Sequence, residues 1–300
     1  MNKQSRSHHY LPRHYLEGFK GSNSGFFVYD KQEDKIFPSS PGATFFENHL
    51  NTVYLPDGKT SVFVEDQYTN IENDCWPAID RIRTSDSKTL ITHEDKEFLH
   101  LFLSSLYWRL PINSSIAEQW SKSAFTDTSP VDYFRLKNKQ GKSIPRHIVD
   151  AIRDSDAFKK SFRLILSMAP FLKDKSWGHK LQNWRFFYHQ NGQRFNIVGD
   201  NPILTRTENH EDPVSLLDEF VFPLSASITI VNTNPVPTKG LSPEFTLQLG
   251  VAMVERARRF VVSHNKAWLE AVVGHYKIYA NAGMNHLILD QLCLMLQQAA

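Results

Sequence analysis

The side chains best equipped for chemistry stand in four separate places along this chain. Near the start, His8-His9-Tyr10-Leu11-Pro12-Arg13-His14 gathers three imidazoles and a guanidinium within seven positions. Imidazole titrates near working pH, so His9 is a candidate general base or metal ligand, and Arg13 a candidate partner for an anionic substrate. The plainer reading is a docked N-terminal helix in which Tyr15, Leu16 and Phe19 fill the core while His8 and His14 face water. Beyond mid-chain, Val198-Gly199-Asp200-Asn201-Pro202 sets a carboxylate at a strand end just before a turn, a common place for a catalytic or metal-binding Asp. Its plainer reading is an Asx-turn, with Asp200 accepting from nearby backbone N–H groups and Asn201 extended before Pro202.

Glu72 and Arg109 each lie at the edge of an apolar helical stripe, where a charge must find a partner or a ligand. Either they form one interhelix ion pair, or Arg109 clamps a phosphate or carboxylate while Glu72 holds a metal or a water. The run Glu255-Arg256-Ala257-Arg258-Arg259 puts three arginines near a helix C-terminus, where they serve the helix dipole as a solvated end or line a phosphate-binding face.

The elements that must position these groups follow from local patterning. Gly21 to Gly25 reads as a turn into a strand over 26–30, with Lys35-Ile36-Phe37 as hairpin partner. Pro56-Asp57-Gly58 joins 51–55 to 60–64 as a second hairpin. Tyr68, Ile71, Cys75, Ile79 and Ile82 step by three and four and predict a helix that Pro77 should kink or restart. Thr92 caps a second helix carrying Phe98, Leu101, Phe102, Ser105, Leu106 and Arg109, stopped by Pro111. Residues 121–145 are weakly patterned and 146–172 again helical. Trp184 to Tyr188 and Arg194 to Val198 flank Asn191-Gly192, the strongest short hairpin signal. Strands at 220–224 and 228–231, a helix from Ser242-Pro243 to about Arg258, a strand at 259–263 and two closing helices complete the order. Strands, then helices, then strands with helices predict an α+β fold, a mixed or antiparallel sheet packed with several helices. We read residues 1–300 as one composite unit, with the weakest point for a boundary near 121–145.

The 300 residues carry 34 basic and 32 acidic side chains, a net charge of +2, so any polyanion site must be a local patch. Hydrophobic residues at 41% and 37 aromatics suffice for a sizeable core and exclude a disordered, collagen-like or disulfide-scaffold chain. Two cysteines 218 positions apart, no secretory h-region and no apolar run of membrane-span length predict a cytoplasmic protein with no membrane partner. The sequence has no G-x-x-x-x-G-K-[ST], G-x-G-x-x-G, C-x-x-C pair, H-E-x-x-H or G-x-S-x-G motif. His-His-x-x-Pro is similar to the opening of an HNH nuclease motif. The next histidine after His14 is His49, in a turn-rich region, so that likeness is treated as coincidence.

Taken together, these segments resemble the bacterial domain-of-unknown-function 4238 family. The chain matches its opening His-Tyr-x-Pro-x-x-Tyr-Leu-x-x-Phe signature from His9 to Phe19, its Asp-Asn-Pro turn at Asp200-Asn201-Pro202, its Phe-Pro-Leu-Ser at Phe222 to Ser225 and its Arg-x-Pro at Arg109-Leu110-Pro111. Family members usually have Ser before the Asp-Asn-Pro, where this chain has Gly199 and so no hydroxyl. The resemblance supplies no activity, but it implies that His9, Asp200 and Asn201 face a site.

The leading functional expectation is an uncharacterised bacterial hydrolase acting on a phosphodiester or nucleotide, nuclease-like and supported by Mg²⁺ or Mn²⁺. In it His9, Asp200 and Glu72 are catalytic, and Arg109, Asn201 and Arg13 bind substrate. The alternative is a non-catalytic ligand-binding or sensor module, set in a phage-defence or toxin locus, in which the same polar residues hold a ligand. The discriminating observation is whether these residues share one concave pocket.

Overall fold

The structure, a computed structural model, describes residues 7–21, 25–86, 90–124, 137–173, 177–189, 193–205 and 218–300. Strand β1 (Ser7–His9) leads through the short helix α1 (Arg13–Glu17) into the hairpin β2 (Phe26–Asp30) and β3 (Lys35–Ser39). Then β4 (Phe46–Asn48) returns to pair antiparallel with β1, His9 opposite Phe46. A small hairpin of β5 (Val53–Tyr54) and β6 (Thr60–Ser61) follows Pro56-Asp57-Gly58 as expected, but Phe63 and Val64 already belong to the next helix.

The helical layer comes next. Helix α2 (Phe63–Thr84) buries Tyr68, Cys75, Ala78, Ile79 and Ile82, the stripe read from the sequence, and passes through Pro77 unbroken. Its buried side chains lie on both sides of the proline, so packing on α3 (His93–Arg109) holds both halves where a missing N–H would otherwise break an isolated helix. Thr92 caps α3 reciprocally: its hydroxyl accepts from the Asp95 N–H at 3.1 Å and the Asp95 carboxylate accepts from the Thr92 N–H at 3.1 Å. Helices α4 (Ser114–Ser123), α5 (Arg146–Asp154), α6 (Asp156–Lys173) and α7 (Trp177–Lys180) follow, α6 packing against both α3 and α4.

The remaining strands are β7 (Arg185–Tyr188), β8 (Val198–Gly199), β9 (Leu204–Thr205), β10 (Phe220–Ser225) and β11 (Ile228–Asn232). Helix α8 (Pro243–Arg256), capped by Ser242, leads to β12 (Phe260–Ser263), α9 (Lys266–Asn281) and α10 (Leu287–Gln298). Two antiparallel four-stranded sheets result, ordered β7-β11-β10-β9 and β3-β2-β12-β8, and with the helices they make an α+β fold.

One expected pairing is overturned. Residues 190–192, with the Asn191-Gly192 turn, lie outside the described residues, but the runs flanking them do not pair with each other. Instead β7 pairs with the fully buried β11, Arg185 opposite Val231, while β8 joins β12 in the other sheet. A lone two-stranded ribbon is marginal, and each run gains more by extending a sheet that already has a core face. Tyr15, Leu16 and Phe19 are fully buried and so do fill the core, beneath β10 and the first helices. No helix among the described residues is long and apolar enough to cross a membrane.

Candidate functional site

Two polar regions lie beside the β1–β4 ribbon. The first is a buried charge node between the helices. His8 is fully buried, not solvated as expected, and its Nδ1 accepts from the Asn51 N–H at 2.9 Å. Asn51 Nδ2 donates to Glu65 Oε2 at 2.7 Å, and its Oδ1 accepts from Arg163 Nη2 at 2.7 Å. Arg109 Nη2 donates to Glu65 Oε1 at 2.8 Å, and Nη1 donates to Glu72. The guanidinium also lies 5.0 Å from the centre of the Tyr68 ring. The Glu72–Arg109 ion pair of the plainer reading is therefore present, with Glu65 as a third member. Burial pushes the Glu72 carboxyl up, and Arg109 opposes it.

His9 lies against this node. Arg13 Nε donates to His9 Nε2 at 3.3 Å, and the ring packs on Phe46 with centroids 5.5 Å apart. Burial first, then Arg13 and Arg109, bring the imidazole down to about 4, so it is neutral at pH 7. His14 instead sits half-exposed at 2.8 Å from Asp80.

The second region is an open cleft of about 240 Å³, lined by Tyr10, Phe46, Asp200, Asn201, Arg258 and Phe260 among others. Asp200 is buried in its wall. Its Oδ1 accepts from the Arg258 N–H at 2.7 Å, and its Oδ2 from the Arg259 and Phe260 N–H groups at 2.8 and 3.0 Å. The expected Asx-turn is thus replaced by a long-range clamp: the donors come from the bend between α8 and β12, not from the residues that follow Asp200. Burial raises the Asp200 carboxyl, and the three N–H groups oppose that rise. Gly199 is pressed against α8, where an added Cβ would meet the Met253 carbonyl oxygen at 3.0 Å and Ala257 Cβ at 3.2 Å. A serine there would force the neighbouring backbone to give way.

The two arginines of the bend differ. Arg259 is held by Asp30, at 3.0 Å from Nε and 2.9 Å from Nη2, and by Glu33 at 3.4 Å. Arg258 is largely exposed and comes within 3.8 Å of the exposed Glu47, and its charge also favours the ionised Asp200. Burial together with the nearby Asp200 and Glu47 charges raises the Tyr10 phenol. Among the described residues, neither the Tyr10 hydroxyl nor the Asn201 amide has a hydrogen-bond partner.

The six residues nominated from sequence are therefore divided. Asp200 and Asn201 line the cleft; Glu72 and Arg109 belong to the node. His9, with Arg13 on it, is within electrostatic reach of Arg109 and Glu65 and packs on the cleft-lining Phe46 ring, but does not line the cleft itself. Sequence reasoning passed over Glu65, Asn51 and Arg163 in the node, and Tyr10 and Glu47 in the cleft. Glu65 was findable, since it precedes Glu72 by two helical turns and shares its face. Asn51 and Arg163 carry no local signal. Among the described residues no group of three or more His, Cys, Asp or Glu is arranged to hold a metal ion.

A family model described as a protein of unknown function, DUF4238, matches residues 7–267 and so takes in both regions. No curated protein and no solved structure matches the chain.

Proposed function

The chain belongs to the DUF4238 family, whose function is unknown, and from that premise we propose that it is a ligand-binding module that holds a nucleotide in the Asp200–Asn201 cleft. One observation carries this reading. The cleft combines polar groups that have no hydrogen-bond partner among the described residues, the Asn201 amide and the Tyr10 hydroxyl, with an exposed guanidinium, Arg258, and the aromatic rings of Phe46 and Phe260. An arginine suits a phosphate, a flat ring suits a base, and an amide suits a base edge.

The hydrolase expectation asks for chemistry these groups are poorly placed to give. Three backbone N–H groups already draw on the Asp200 carboxylate, which leaves it a weak orienter of water. An imidazole brought down to about 4, with Nε2 engaged by Arg13, is a weak general base at pH 7. Binding needs neither group to change.

Isothermal titration with nucleoside monophosphates, run alongside product analysis in Mg²⁺ and Mn²⁺, tests the reading. Saturable one-to-one binding is expected without turnover. Arg258→Ala should weaken it at least tenfold, and Glu47→Gln should tighten it by removing the carboxylate that competes for Arg258. Metal-dependent product formation would return the hydrolase reading. Absence of binding at millimolar ligand, or binding indifferent to both variants, would refute the module.

A further inference from the structure

The charges around the cleft limit what it can hold. Two guanidiniums and two carboxylates line it: Arg258 and Arg259, Glu47 and Asp200. Arg259 is taken by Asp30 and Glu33. Lys31, just after β2, is taken too. Its Nζ donates to the Val254 and Glu255 carbonyls at 2.9 Å and to that of Ala257 at 3.3 Å, at the negative end of the α8 dipole. Arg256, at the end of α8, is engaged within the protein. Among the described residues this leaves Arg258 as the cleft's available cation, and its one charge already answers to Glu47 at 3.8 Å and to Asp200. A phosphate that enters therefore meets less than one uncompensated positive charge, together with two carboxylates.

Resting on the nucleotide reading of this cleft, we propose that its ligand is a nucleoside phosphodiester of single negative charge, with a 3′,5′-cyclic mononucleotide as the form that suits its size. A phosphomonoester carries between about 1.5 and 2 negative charges at pH 7, because its second ionisation lies near about 6, whereas a diester carries one. The two free oxygens of a diester are enough for the guanidinium fork of Arg258. A second charge gains little from a cation shared with two carboxylates, and both carboxylates repel it. The discrimination is thus built by repulsion as much as by attraction. The cleft's volume of about 240 Å³ lies below the usual range for drug-sized ligands, about 300–1,000 Å³, which holds the ligand to one nucleoside unit.

The test is isothermal titration with three probes that share a base and a sugar: adenosine 3′,5′-cyclic monophosphate, the methyl ester of adenosine 5′-monophosphate, and adenosine 5′-monophosphate itself. At pH 7.5 both diesters should bind at least tenfold tighter than the monophosphate. At pH 5.5 the monophosphate loses most of its second charge, and that gap should shrink at least threefold. Glu47 and Asp200 in the cleft, and His9 packed on Phe46, act on all three probes, so the diesters serve as the reference for any titration of the protein. Glu47→Gln removes one repelling carboxylate and should help the monophosphate more than the diesters, cutting the preference at pH 7.5 at least threefold; a thermal melt checks its folding. The cyclic probe should be the tighter of the two diesters. The reverse order would keep the phosphodiester and assign it to the end of a strand. If the monophosphate binds as tightly as the diesters at pH 7.5, or the preference is the same at both pH values, the phosphodiester inference is wrong and the nucleotide reading stands. If no probe binds, both are wrong.

Discussion

The node around Arg109 and the cleft around Asp200 use the same kinds of side chain to opposite ends. In the node, two carboxylates, two guanidiniums and an asparagine hydrogen-bond to one another inside a helical layer, and among the described residues only Arg109 Nε and the Tyr68 hydroxyl there are buried without a hydrogen-bond partner. In the cleft, buried Asp200 is spent on backbone N–H groups and Arg259 on Asp30, which leaves Arg258, Asn201 and Tyr10 facing an open space. Charge at a helix edge is therefore a poor guide to function. What separates a structural charge from an available one is whether its partners come from the protein itself.

That contrast breaks or holds on measurable differences. The largest effect should come from Arg109→Met, which strands Glu65 and Glu72 in the interior and should cost about 3–5 kcal/mol of stability in a denaturant melt. Adding Glu65→Gln and Glu72→Gln should recover part of the loss. If Arg109→Met instead folds with native stability and loses ligand, the node is the binding site and the comparison is inverted.

Asp200→Ala should cost about 2–3 kcal/mol, since it unties three backbone N–H groups, and it should weaken binding too, because those groups fix the bend that carries Arg258. Asp200→Asn should fall between the two. Normal ligand affinity in a destabilised Asp200→Ala would show that the clamp and the cleft are independent.

A smaller effect concerns pH. The imidazoles of His9 and His100 are held at about 4 in the fold, chiefly by burial, against an ordinary value of 6.5. The unfolded chain therefore takes up these protons first. Stability should be lost as pH falls from about 6.5 to about 4 and should level off below that. The melting temperature of His9→Gln should decline less steeply over this window than that of the wild type; parallel curves would show that His9 is not buried against the node. Smallest of all, Arg258→Ala should change stability by less than about 0.5 kcal/mol while it weakens ligand binding at least tenfold, because the side chain is exposed and its ion pair with the exposed Glu47 is long, at 3.8 Å. A large drop in its melting temperature would make Arg258 structural.

Much of the fold was legible where the determinants are local. Thr92 with Asp95 three residues later marks the start of α3, Ser242-Pro243 that of α8, and the three-and-four spacing from Tyr68 to Ile82 gives the buried face of α2. The Asn191-Gly192 signal misled because turn chemistry competes with sheet burial, and β7 and β8 found partners in separate sheets. At the site, the Glu72–Arg109 pair could be read from two helical stripes. Glu65 followed by the same arithmetic, but Asn51 and Arg163 enter the node from distant segments.

The amino-acid order by itself determined where the longer capped helices run, which of their faces are apolar and that charges at Glu72, Arg109 and Asp200 would need partners, because periodicity, capping and desolvation act over a few residues. Only the tertiary structure decided who those partners are. It turned Asp200 toward backbone 58 to 60 residues away, closed Arg109 between two glutamates and left Arg258 and Asn201 open to solvent. Hydrogen-bond and ion-pair partners are chosen by distance in space, and chain connectivity sets that distance only after every element has packed.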